Sequence, residues 1–217
     1  MYPGMMNFIG FNVENLTNYQ AFISGYLYGM LFIMFGIIYA ILLSNKLIFR
    51  YLDDGSFTYL LSTPNSRSKL LFTQMKVLGS YLFLMVLLMF LVVAGFGSIS
   101  HFEYVDWGVI AYLNFSFLIM LLCISSITMF ASSLFEGKIA FGLNVGVPIT
   151  LFLFKMISNL GSNYEWFKYL TPFSLFDTML IIKYDVMSIV NNLILLLFTI
   201  IILVVTFKMF NKKDLSI

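Results

Sequence analysis

Charge is what this sequence has least of. Only 10% of its 217 residues are Asp, Glu, Lys or Arg, against about 25% in a soluble domain. A chain so poor in charge cannot cover itself with water-facing side chains. Its net charge of +2 is too small for a nucleic-acid footprint. One cysteine, Cys123, excludes an internal disulfide; inside an apolar run it reads as a small buried side chain. One histidine, His101, falls in a loop, and no Asp or Glu falls inside a long apolar run. Chemistry within a membrane asks for carboxylates, histidines or a nucleophile–base pair at that depth. No catalytic, cofactor-binding or metal site is therefore expected. The GxxxxGK[ST] phosphate loop is also missing, so ATP cannot be bound in that manner. The N-terminus has neither the basic region nor the cleavage site of a signal peptide.

What is present is apolar: 61% of residues, with a mean hydropathy of +0.96. Lipid must be the solvent for much of such a chain. Five runs meet the roughly 20 residues that a helix needs to cross hydrocarbon: about 21–44, 77–100, 109–135, 139–160 and 187–207. Backbone amides in lipid must bond internally, and the alternation of a barrel is absent, so these runs are helices. The fold class is an all-α membrane protein, one transmembrane domain over 1–217.

Orientation follows from Lys and Arg. If loop 45–76 lies inside, the inner segments hold Lys46, Arg50, Arg67, Lys69, Lys76, Lys138, Lys208, Lys212 and Lys213. The outer segments hold Lys168 and Lys183. That is a positive-inside bias, and it predicts an N-out, C-in topology. Trp107 and Trp166 then fall at the outer edge, as an aromatic belt requires.

Within the runs, Gly25 and Gly29, and again Gly142 and Gly146, stand four apart. Such pairs serve either intrachain helix packing or a subunit interface. Ser125, Ser126, Thr128, Ser132 and Ser133 make the third run polar toward one end, for packing or for a substrate path. Pro148 should kink the fourth run. Lys155 lies near the outer end of that run, where it can snorkel to the headgroups or touch substrate. In 161–186, Thr171 can cap a helix that opens on Pro172. Phe173, Phe176, Leu180 and Ile181 then share a face roughly opposite Asp177, as a short interfacial helix requires. The tail from Lys208 reads as a basic stop against anionic lipid.

The polar stretch 45–76 is the long interruption of this pattern. Asp53-Asp54-Gly55 reads as a helix start. Phe57, Leu60 and Leu61 repeat on one helical face, Pro64 ends the helix, and Ser66 can cap the next. The stretch Asp54-Gly55-Ser56-Phe57-Thr58-Tyr59-Leu60-Leu61-Ser62-Thr63-Pro64, followed by Ser66-Arg67-Ser68-Lys69, resembles the permease subunits of bacterial ABC-2 type transporters. Leu170-Thr171-Pro172-Phe173-Ser174 and the tail Phe210 to Leu215 resemble them too. The resemblance covers nearly the whole chain. It implies that Gly55 to Ser62 form a cytoplasmic coupling helix that docks on an ABC ATPase. Asp54, Gly55, Phe57, Thr58, Leu60, Leu61 and Pro64 would form the docking element, with Arg67 and Lys69 beside it. ATP and Mg would belong to the partner ATPase and no cofactor to this chain.

The same resemblance implies a bacterial cell membrane, a second permease copy or a paired permease, and export of a hydrophobic or amphipathic substrate such as a peptide, lipid or drug. It makes the runs carrying Gly25, Gly29, Gly142, Gly146, Pro148 and Lys155 the border of the path or interface, and 161–186 the outer gate. Members usually have six spans, and Tyr2-Pro3 looks like the outer end of a first span that this chain lacks. The alternative reading is an ion-coupled secondary transporter or channel subunit. Those usually carry intramembrane ionisable residues and internal repeats, which are not found here.

Overall fold

A computed structural model of the chain describes residues 19–56, 66–99 and 105–212. Four long helices come first: α1 (Tyr19–Asp53), α2 (Arg67–Ile99), α3 (Trp107–Leu134) and α4 (Gly137–Ser158). Two 3-10 segments, Ser162–Leu170 and Pro172–Leu175, and the short α5 (Thr178–Ile182) follow. The long α6 (Val186–Lys212) closes the described chain. No strand occurs among the described residues. All five long helices are apolar enough to cross a membrane.

The first two helices outrun their apolar runs. α1 continues through Asn45–Phe49, in π-helical turns, and Arg50–Asp53. α2 already starts at Arg67. Polar side chains do not break a helix; they need only water around them. Each extension is about 14–15 Å long at 1.5 Å per residue, so α1 and α2 form a stalk beyond the hydrocarbon.

Asp53-Asp54-Gly55 closes α1, a role the sequence reading did not give it; most of the helix expected over Gly55 to Ser62 lies outside the described residues. The Asp54 amide donates to the Arg50 carbonyl at 2.9 Å. Gly55 takes a left-handed φ of 67°, the usual way for a helix to stop. Asp54 spends its charge on Arg50, at 3.5 Å. Ser66 does cap α2: its hydroxyl accepts from the Lys69 amide at 3.3 Å.

α3 is the centre of the bundle. Of its apolar window 72% is buried, against 44% for α1 and 22% for α2, α4 and α6. Four of its hydroxyls bond back into the helix, while the buried Ser132 hydroxyl finds no partner among the described residues. Ser125, Ser126, Thr128 and Ser133 each donate to a carbonyl three residues back. Small side chains of this kind let neighbours come close, and Thr128 also shares a 2.6 Å hydrogen bond with Ser44 of α1.

Between α3 and α6 runs a polar ladder. Tyr112 and Ser188 share a 2.8 Å hydrogen bond, and the Asn192 amide donates to Ser116 at 2.8 Å. α1 meets α3 through a notch: a Cβ on Gly36 would strike the δ-methyl of the buried Leu121. Tyr28 of α1 then packs edge-on to Phe117 of α3, with ring centroids 5.7 Å apart.

Gly36→Leu should lower stability by about 1–3 kcal/mol through overpacking. Gly79→Leu, where nothing lies within 4 Å, should change it little. Thermal unfolding of the two purified variants in one detergent makes the comparison.

Candidate functional site

The two ends of the bundle differ in chemistry. One end gathers Lys46, Arg50, Arg67, Lys69, Lys76, Lys138, Lys208 and Lys212, carried by the ends of α1, α2, α4 and α6. Four elements meet there in one small apolar cluster: Ile48 of α1, Leu71 of α2, Met129 of α3 and Phe210 of α6, none more than 2% exposed. Ser68 of α2 donates to Asn211 of α6 at 2.9 Å and closes the same end. The stalk and the loop that it carries are thus fastened directly to the central helix.

Of the nine residues assigned to the docking element, Asp54, Gly55, Arg67 and Lys69 flank the loop at this end. Asp54 and Lys69 are exposed. Phe57, Thr58, Leu60, Leu61 and Pro64 lie outside the described residues.

The remaining candidates do not converge on one point. Gly25 and Gly29 lie in a π-helical stretch of α1, Ile23–Leu31. Gly142 and Gly146 sit on the outward face of α4, where a Cβ would meet nothing within 4 Å; they line a shallow hollow of about 250 Å3. Neither glycine packs against another described helix. α4 runs unbroken through the buried Pro148. Proline has no amide to give the carbonyl of Asn144, and the Asn144 side chain is turned to α1, donating to Asn45 at 2.8 Å. Lys155 reaches the opposite end of the bundle, its ammonium 5.9 Å from the Phe176 ring centre.

That opposite end is covered by the short helices. Thr171 accepts from the Phe173 amide at 3.3 Å, with Pro172 in the first position. The expected single helix is instead two. Backbone at Phe176 leaves helical geometry, and Asp177 caps α5 by accepting from the Met179 and Leu180 amides. Phe173, Phe176 and Ile181 are buried and Asp177 is exposed, while Leu180 is only half-buried. Phe176 lies 5.8 Å from Phe117 of α3 and Phe173 lies 5.7 Å from Phe152 of α4, so two rings nail the cover to the bundle. On its surface Lys168 and Glu165 pair. Their hydrogen bond lowers the Glu165 pKa and raises that of Lys168. The pair is complete above the ordinary carboxyl range and is lost as pH falls through the lowered Glu165 value.

Sequence reasoning missed three features. The Asn45–Asn144 contact and the Gly36 notch carry no local signal, because each is made by two distant helices. The π-helical turns have no composition of their own. π turns concentrate at functional sites, and both of these stretches are on α1.

Five long apolar helices define a multi-pass α-helical membrane protein. The family model described as ABC-2 family transporter protein matches residues 5–215, and the chain belongs to that family. ABC-2 permeases are the membrane-spanning components of ABC transporters and typically work with ATPase subunits. No curated protein and no solved structure matches the chain.

Phe176→Ala should unfasten the cover and cost on the order of 3 kcal/mol. Limited proteolysis should then cut within 161–185 at a protease concentration that leaves the parent chain intact.

Proposed function

We propose that this chain is the permease subunit of an ATP-driven exporter in a bacterial cell membrane, with its N-terminus out and its C-terminus in. A cytoplasmic ATPase that holds ATP and Mg docks on the loop between α1 and α2. Two permeases, identical or paired, enclose the path of a hydrophobic or amphipathic cargo. The observation that carries this reading is the basic end. Its eight cations sit where the positive-inside rule puts the cytoplasm, and the Ile48–Leu71–Met129–Phe210 cluster ties the stalk to α3.

The mechanism follows from that tie. A push on the loop moves the stalk ends of α1 and α2. The cluster passes the displacement to α3 and α6, since packed side chains move together and do not compress. At the Gly36 notch α1 cannot slide along α3 without a clash. The bundle therefore tilts, and its two ends open and close in turn. Phe57, Leu60 and Leu61 would anchor the ATPase, with Arg67 and Lys69 as charge partners beside them.

Two experiments test the parts separately. With Cys123 buried, a membrane-impermeant maleimide on intact cells should label Asn163→Cys and leave Asp53→Cys untouched. The reverse pattern would overturn the topology. Leu60→Asp with Leu61→Asp should weaken copurification of the ATPase at least tenfold, about 1.4 kcal/mol, without changing the amount of chain in the membrane. Undiminished copurification would sink the docking assignment.

A further inference from the structure

The cover and the start of α6 enclose a cavity of about 650 Å3, within the 300–1,000 Å3 usual for ligand pockets. One side of it is a stripe of α6, because Met187, Asn191, Ile194 and Phe198 recur at helical spacing. Ile194 and Phe198 are each 44% exposed, so the stripe opens toward lipid. The rim holds Lys168 and Asp177. Two further charges stand behind the rim: Glu165 on Lys168 and Lys155 acting on Asp177. Both signs are thus present around the mouth.

Asn191 supplies the independent observation. Its carboxamide is half-buried in the cavity wall and makes no hydrogen bond to any described residue. It lies about 8 Å along the helix axis from Val186, and Phe198 about 18 Å. An amide facing lipid there needs a polar partner, and the described residues give it none. Polar rim, lone amide and apolar stripe succeed one another along α6 in the order of headgroup, ester linkage and acyl chain.

We propose that this cavity holds one zwitterionic phospholipid from the leaflet on its side. The lipid phosphate faces Lys168. Its ammonium faces Asp177, whose Oδ1 is engaged by the Met179 and Leu180 amides, leaving Oδ2 for the ligand. An ester carbonyl accepts from Asn191, and one chain lies along Ile194 and Phe198. An anionic lipid brings no cation of its own and would leave Asp177 with Lys155 alone. The proposal requires that the chain spans the membrane but requires neither the ATPase nor a direction of transport.

The test uses the full chain in mixed vesicles, with Trp107 and Trp166 changed to Phe and one reporter added. Phe198→Trp reads the cavity and Leu197→Trp the bulk-facing surface. Brominated phosphatidylethanolamine should quench the reporter at 198 at least threefold more than brominated phosphatidylglycerol at equal mole fraction. At 197 the two should be equal. Asp177→Asn, which keeps the helix cap, should abolish the preference at 198. Equal quenching at 198 by both lipids overturns the proposal. So does quenching at 197 with none at 198, which would mean that protein, such as a second copy, covers the cavity. For a reporter variant that misfolds, native mass spectrometry of the unaltered chain decides. Retained phosphatidylethanolamine that is lost in Asn191→Leu supports the site, and retention unchanged by that substitution overturns it.

Discussion

The burial of α3 is the constraint on which the rest depends. In lipid there is no hydrophobic force to push helices together, so a bundle holds by close packing and by hydrogen bonds between helices. α3 supplies both. Ser125, Ser126 and Thr128 donate within the helix, and Thr128 also shares a 2.6 Å hydrogen bond with Ser44 of α1. Gly36 of α1 lets Leu121 approach to contact, and Asn192 of α6 bonds to Ser116. A central helix with bulky side chains on every face would hold its neighbours apart.

Two clamps then act at the ends of this core. At the basic end, four side chains from four helices lock the stalk. At the other, Phe173 and Phe176 are pressed into the bundle as its aromatic cover. The stalk is polar and projects beyond the hydrocarbon; the cover is short, capped and lies over the helix ends. Helix overhang accounts for this asymmetry. α4 has 22 residues, about enough to cross hydrocarbon, whereas α1 has 35 and α2 has 33.

The apolar runs were legible because lipid allows the backbone only one open-ended solution there. The cap at Thr171 and the cap at Ser66 were legible too, since each needs only its own next three residues. The end of α1 was not foreseen. Asp53 and Asp54 suit a helix start electrostatically, but the left-handed Gly55 and the pairing of Asp54 with Arg50 make the same residues a stop. The Gly142–Gly146 pair announced a close approach somewhere, and within the described chain nothing approaches it. The cavity beside Asn191 could not be foreseen, because its walls come from the cover and from α6, and only their meeting makes a mouth. Family membership was readable from the loop and the outer Thr171-Pro172 segment, and the match over 5–215 confirms it.

Only Phe135 and Glu136 separate α3 from α4, and Gly137 turns the chain with a left-handed φ of 54°. A link that tight makes the pair one stiff hairpin. Whatever displaces α3 must carry α4 with it, whereas α1 and α2 are joined by the far longer stretch 54–66. The bare glycine flank of α4 therefore keeps one posture toward the central helix, as the rim of a folded sheet follows its crease.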